Sequence, residues 1–103
     1  MRVALTVLPL ILTFVGCMDT VKVAPHVVDL GTLDNIDQLE LGRKLYVTRC
    51  TKCHNALRIT RFSQEEWSET LPVMIRKSKF TPQQTLDVTA YIQAVLHSAS
   101  STN

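Results

Sequence analysis

The residues best suited to chemistry stand together near the middle of the chain, in the run Cys50-Thr51-Lys52-Cys53-His54. On one helical turn, side chains three positions apart share a face, so both thiols are able to reach the same planar ligand. Two such thiols followed directly by an imidazole match the attachment motif of a c-type haem. We therefore predict one covalent haem c, with thioethers to Cys50 and Cys53 and with His54 as the proximal iron ligand.

A Cys-x-x-Cys motif has three interpretations besides haem attachment. A zinc site needs a second pair of ligands, and His26 and His97 are isolated in the sequence. A thioredoxin-like redox motif stands at a strand-to-helix junction, and no strand-rich pattern flanks these cysteines. A structural disulfide between Cys50 and Cys53 is the remaining alternative.

The composition sets the size and the broad class of the protein. The chain has 103 residues, of which 46% are hydrophobic and 19% charged, with a formal net charge of +2. These figures indicate one small domain and exclude a disordered tail, a multi-domain enzyme and a strongly basic nucleic-acid binder. A domain this short is stabilised only marginally by its own apolar core, and a disulfide, a metal or a cofactor commonly makes up the deficit.

The N-terminal residues have the layout of an export signal. Met1 and Arg2 precede an uncharged apolar stretch that is too short for a comfortable membrane span, and residues 1–16 are predicted to be a signal peptide. The sequence Phe14-Val15-Gly16-Cys17 resembles a bacterial lipobox, which implies cleavage before Cys17 and lipid attachment to it. An uncleaved signal anchor, or cleavage with Cys17 as a bystander, is the alternative.

Export fits the haem motif, because thioether attachment in bacteria takes place outside the cytoplasmic membrane. The predicted location is the periplasmic or cell-surface side of a bacterial membrane, with the protein held by its lipid anchor.

The residues before the motif predict an irregular arm followed by a helix. Residues 17–34 contain Pro25 and Gly31 without a sustained period, so they read as a tether and an irregular arm. A helix is predicted from Asn35 or Asp37 directly into Cys50. Gly42 lies inside it, where a missing side chain lets another helix approach closely. The apolar face of this helix comprises Ile36, Leu39, Leu41, Leu45 and Tyr46.

A second helix is predicted after a loop over residues 55–62. Ser63 and Glu66 form a capping box at its start. Pro72 lies within the pattern and lacks a backbone donor, which predicts a kink or a break over residues 68–71. Its apolar face comprises Trp67, Leu71, Met74 and Ile75.

A third helix is predicted to begin at Thr81 and Pro82, with Gln84 at the third helical position, and to end near His97. Residues 98–103 are small and polar and are expected to fray. The haem domain is thus expected over residues 35–97. The apolar stripe of this helix comprises Leu86, Val88, Tyr91, Ile92, Val95 and Leu96.

Taken together, these features resemble a small class I cytochrome c over roughly residues 37–96. The resemblance rests on the haem motif and on the helix that carries Gly42 and Tyr46 before it. It also includes Trp67, Met74, the Thr81-Pro82 helix start and Tyr91-Ile92.

The resemblance implies an all-α fold of about three helices wrapped around one covalent haem, with the first and last helices crossing near Gly42 and Tyr91. It also implies that a methionine sulfur fills the sixth iron position, and Met74 matches the position of the family's ligand. Core packing is the ordinary role of a methionine on an apolar helix face, and it is the alternative for Met74.

Such ligation suits one-electron transfer without general acid, base or nucleophile, so the predicted function is a membrane-tethered electron carrier and not an enzyme. A haem with an open or labile sixth position that binds a gas or acts as a peroxidase is the alternative. A haem subunit of a larger oxidoreductase complex is another.

Charge placement suggests how partners would dock. The stretch between Glu40 and Glu65 contains basic residues and no acid, which would steer a redox protein with an acidic patch toward the haem. No stacking aromatics interleave with these residues, so nucleic acid is not an expected partner. Trp67, Arg58 and Arg61 are candidate contacts for the haem propionates. The basic residues are Arg43, Lys44, Arg49, Lys52, Arg58 and Arg61.

Overall fold

Three α-helices form the protein in its computed structural model, which describes residues 23–32, 34–50 and 57–101. Helix α1 spans Ile36–Leu45, α2 spans Gln64–Ser78 and α3 spans Pro82–Ser101. A π-helical turn, Tyr46–Cys50, extends α1, so the chain is helical up to the first cysteine of the motif. Short 3-10 turns lie at Val27–Leu30 and Ile59–Arg61. No strand occurs in these ranges, and the predicted all-α class is confirmed.

Both predicted helix starts are confirmed by their hydrogen bonds. The Ser63 hydroxyl accepts a bond from the Glu66 amide at 3.1 Å, and the Glu66 carboxylate accepts one from the Ser63 amide at 3.2 Å. Thr81 and Gln84 repeat this exchange at the start of α3, at 3.1 and 3.0 Å. Each box satisfies amides that have no partner within the first helical turn.

Helix α2 does not break at Pro72, so the break predicted as one outcome over residues 68–71 is wrong, while the alternative outcome, a kink, stays a prediction. The helix is continuous over 15 residues with Pro72 inside it. Pro72 is exposed, whereas Trp67 and Leu71 on the opposite side are buried. Burial of that apolar face outweighs the loss of one backbone hydrogen bond.

Helix α3 extends past the predicted end at His97 to Ser101. The hydroxyls of Ser100 and Ser101 donate to the carbonyls of His97 and Ser98 at 2.9 and 3.0 Å. Both hydroxyls thus bond back to the preceding turn, and the small polar residues continue the helix over positions that were expected to fray.

The core forms where α1 crosses α3 at Gly42. A Cβ atom on Gly42 would lie 2.7 Å from the Tyr91 Cβ and closer still to the carbonyl oxygen of Asp87. Only a residue without a side chain permits this approach. The expected close helix contact at Gly42, and the crossing near Tyr91, are therefore confirmed.

Some residues assigned to apolar faces point to solvent instead. Leu41 is 54% exposed and Leu86 is 59% exposed, and Ile36 is exposed as well. The buried positions of α1 are Leu39, Gly42 and Tyr46, a spacing that places Leu41 off the packed stripe. Leu86 is likewise outside the buried stripe of α3, which comprises Val88, Tyr91, Ile92 and Val95.

The described part of the N-terminal arm packs against the helices. Ala24, Val27 and Leu30 belong to the buried core. The Arg43 Nε donates to the carbonyls of Ala24 and Pro25 at 3.0 and 3.2 Å. The Tyr91 hydroxyl also donates to the Pro25 carbonyl, at 2.7 Å. The described residues of the arm, from Val23, are therefore part of the folded body.

Candidate functional site

The first thiol of the motif lies where the first helical segment ends. Cys50 closes the π-helical turn, is only 6% exposed and carries a free thiol. Its neighbours in the core cluster include Tyr46 and Trp67. The motif therefore begins on a helical turn whose cysteine faces the apolar interior.

Burial sets the protonation state of this thiol. It raises the pKa of Cys50 from its ordinary 9.0 to about 11, and the adjacent Arg49 guanidinium opposes that rise. Burial outweighs the cation, so the free thiol is neutral at pH 7. Neutral thiols are poor nucleophiles, and Cys50 would react only after its surroundings open or its proton is removed.

The remaining motif residues, Cys53 and His54, lie outside the described residues, and so does the predicted lipid-attachment site Cys17. Their assigned roles stay predictions. The structure does define where the chain stands on either side of the motif, at Cys50 and at Leu57.

Two buried aromatic residues hold the chain where it leaves the motif. The Tyr46 hydroxyl donates to the Leu57 carbonyl, and the Trp67 Nε1 donates to the Ile59 carbonyl at 2.8 Å. The two rings pack edge-on with centroids 6.3 Å apart. Tyr46 is one turn before Cys50. The Tyr46–Trp67 pair therefore links the helical turn that carries Cys50 to the chain at Leu57 and Ile59; residues 50–57 are called the motif segment below.

The three candidate propionate contacts differ in their surroundings. Arg58 and Arg61 are exposed. Trp67 is 1% exposed, and its indole N–H is occupied by the Ile59 carbonyl. Trp67 thus has a structural partner already, whereas the two arginines face solvent beside the motif segment.

Met74 lies on the face of α2 that packs inward. It follows Trp67 by seven positions and Leu71 by three, which places all three on one side of the helix. Met74 is half-buried and packs against the core cluster that contains Cys50. The structure confirms its predicted face, while iron ligation stays a prediction.

The basic residues around the motif divide into two groups. Arg43 and Arg49 donate to backbone carbonyls within the protein. Lys44, like Arg58 and Arg61, is exposed. The surface available to an acidic partner is therefore smaller than the sequence suggests, with Lys52 outside the described residues.

Two residues organise this site in ways that the sequence does not predict. The sequence places Tyr46 on an apolar face, yet its hydroxyl bonds to Leu57. The sequence places Arg49 among the basic residues that would steer a partner, yet it reaches Ser78 and Gln84. The signal for both was proximity to Cys50, but their partners lie 11 to 35 positions along the chain.

The described ranges contain no group of three or more His, Cys, Asp or Glu side chains arranged to hold a metal ion. No helix within them is long and apolar enough to cross a membrane.

Comparison with known proteins gave no relative. No protein-family model, no curated protein and no solved structure matches the chain.

Proposed function

We propose that this protein is a one-electron carrier with a single covalent haem c. Cys50 and Cys53 would form the two thioethers, His54 would bind the iron from the proximal side and Met74 from the distal side. The observation that carries the proposal is the Cys50-x-x-Cys53-His54 motif, which begins at the end of a helix with its first thiol buried against apolar and aromatic residues.

The residues present fit the chemistry of such a group. Thiols supply the atoms for thioethers, and imidazole and thioether sulfur are ordinary ligands of haem iron. When bound, a c-type haem supplies one-electron exchange between ferric and ferrous iron. Half-buried apolar residues that pack against the core cluster, of which Cys50 is a member, suit a large apolar ligand. They include Phe62, Met74, Ile75 and Phe80.

The protein's own contribution would be to position the iron ligands and to shield the haem from water. Tyr46 and Trp67 hold the chain after the motif through uncharged donors, and α2 presents Met74 toward the core. Electron transfer requires no acid or base from the protein. Ligation on both sides of the iron would leave no position for oxygen or peroxide.

The proposal places this carrier on the outer side of a bacterial membrane, tethered by a lipid on Cys17. The exposed Lys44, Arg58 and Arg61 offer a basic surface to an acidic redox partner. Docking of this kind weakens as ionic strength rises, because salt screens exposed charges.

Mass spectrometry of the mature protein from its native host tests haem attachment and processing together. We expect the measured mass to include one haem, and to correspond to a chain that is cleaved before Cys17 and carries acyl chains on that residue. Substituting both Cys50 and Cys53 by alanine should abolish the haem mass. A native mass without haem would overturn the proposal.

Optical spectroscopy tests the distal ligand. Met74→Leu conserves volume, and it should remove a weak sulfur–iron band near the red end of the oxidised spectrum and let the reduced form bind carbon monoxide. Met18→Leu is the matched control and should change neither property. Rapid carbon monoxide binding by the unaltered protein would favour the gas-binding or peroxidase alternative. Stable co-purification with a dehydrogenase or an oxidase would favour a subunit role.

A further inference from the structure

Arg49, the residue directly before Cys50, joins the motif to the far end of the molecule's second helix. Its Nη2 donates to the Ser78 carbonyl at 2.5 Å, and its Nη1 donates to the Gln84 Oε1 at 3.3 Å. Its guanidinium carbon lies 4.8 Å from the centre of the Phe80 ring. These partners belong to the end of α2, the connection after it and the first turn of α3.

The contacts with Ser78 and Phe80 are of a strong kind, whereas the 3.3 Å bond to Gln84 is long. The Ser78 carbonyl lies in the last turn of α2, where carbonyls lack helical partners and where the helix dipole attracts a cation. A hydrogen bond from a guanidinium is charge-assisted, and the Phe80 ring attracts the cation through its face. Gln84 is itself held by the Thr81 amide at 3.0 Å. Arg49 thus binds to the segment between α2 and α3, which the Thr81–Gln84 bond already orders.

The contact between Arg49 and Ser78 affects Met74, because Ser78 follows Met74 by one helical turn. We infer that Arg49 is a positioning residue, which holds the last turn of α2 against the Cys50 turn and so keeps the Met74 sulfur in place for the iron. This inference rests on the proposed haem function.

Arg43 provides a matched comparison within the same helical segment. Its guanidinium also donates to two backbone carbonyls, those of Ala24 and Pro25. Both carbonyls belong to the N-terminal arm, and the Arg43 side chain also bonds to Tyr91 of α3, so none of these partners lies in α2. Arg43→Gln therefore removes the same kind of interaction without releasing the helix that carries Met74.

The test compares haem-loaded Arg49→Gln and Arg43→Gln by carbon monoxide binding in the reduced form and by the red-end sulfur–iron band in the oxidised form. Arg49→Gln should keep its covalent haem while the fraction of protein open to carbon monoxide rises about tenfold, as loss of a charged hydrogen bond implies. The band should weaken in parallel. Arg43→Gln should match the unaltered protein in both measurements.

Arg49→Lys is a second variant. It keeps the positive charge and the contact with Phe80, but it loses the two N–H donors that reach Ser78 and Gln84 together. It should give an intermediate carbon monoxide response, because one ammonium group does not reproduce the planar fork of the guanidinium. Amide hydrogen exchange in the last turn of α2 should quicken in the same order, which provides a readout that does not depend on the iron.

The outcomes separate the two proposals. An unaltered protein without haem overturns the proposed function. Haem-loaded Arg49 variants with an unchanged band and unchanged carbon monoxide binding overturn the positioning role alone. Equal changes in Arg49→Gln and Arg43→Gln also overturn it, because they would indicate general loosening.

Discussion

At the scale of single residues, Tyr46 links the helix before the motif to the chain after it. Its ring is fully enclosed, with the Trp67 ring centroid 6.3 Å away and that of Tyr91 6.5 Å away. Burial raises the pKa of Tyr46 above its ordinary 10.0, and the nearby Cys50 and Tyr91 raise it further. The phenol therefore stays neutral and donates to Leu57 at any physiological pH.

The shifted phenol predicts a pH dependence of stability. Tyrosine in the unfolded chain loses its proton above about pH 10, whereas buried Tyr46 keeps it. Because the unfolded state then binds fewer protons, the free energy of unfolding falls as pH rises above 10. Tyr46→Phe should make that fall shallower, while losing about 1 kcal/mol at pH 7 from the missing hydrogen bond.

Urea unfolding across a pH series measures this effect. Tyr91→Phe is the companion variant, because burial also raises the pKa of Tyr91 and its hydroxyl bonds to Pro25 instead of the motif segment. Both single variants should have shallower alkaline slopes, and the double variant the shallowest. A Tyr46→Phe slope equal to that of the unaltered protein would contradict the shifted pKa.

At the scale of elements, the crossing of α1 and α3 determines where the motif stands. Gly42 brings the backbone of α1 against Asp87 and Tyr91, and eight residues later the same helical segment delivers Cys50 to the core. The close approach leaves no room for a methyl group. The position of Cys50 therefore depends on a residue that carries no side chain.

Gly42→Ala should destabilise the protein even though alanine is the better helix former. The gain in helix propensity is about 1 kcal/mol, whereas a Cβ in contact with the Asp87 backbone forces the helices apart at a cost of about 3 kcal/mol or more. We expect a net loss of about 2 kcal/mol, measured by urea unfolding. Lys44→Ala, on the exposed side of α1, should change stability by less than about 0.5 kcal/mol. A Gly42→Ala protein as stable as the unaltered one would refute the tight crossing.

At the scale of the whole molecule, the N-terminal arm completes the core of the helical body. Ala24, Val27 and Leu30 bury apolar side chains, and Arg43 and Tyr91 both donate to the Pro25 carbonyl. In a small domain every such contact is a sizeable share of the stability. The arm therefore belongs to the folded unit, and a lipid on Cys17 would hold that unit close to the membrane.

Arg43→Gln should release the arm without unfolding α2. Loss of the guanidinium bonds to Ala24 and Pro25 should cost about 1.5 to 3 kcal/mol of arm docking. Hydrogen exchange at the Asp29 amide, which donates to His26 in the arm, should quicken by about tenfold or more. Lys44→Gln is the control and should leave that exchange unchanged. Unchanged exchange in Arg43→Gln would show that the arm is held by its apolar contacts alone.

Features with local causes were predictable from the sequence. The capping boxes at Ser63 and Thr81 join residues three apart, and Gly42 stands out within an otherwise regular helix. The apolar spacing of Trp67, Leu71 and Met74 also placed one face of α2 correctly. The cysteine motif is local too, and the haem attachment predicted from it rests on residue types and spacing alone.

The tertiary structure decided what those local signals leave open. The continuity of α2 through Pro72 and the exposure of Leu41 depend on what each helix packs against. The roles of Tyr46 and Arg49 depend on carbonyls 11 and 29 positions away, and Tyr91 meets Pro25 across 66 positions. Hydrogen bonds within a turn are encoded in neighbouring residues, whereas bonds between distant segments exist only once the chain has folded and brought them together.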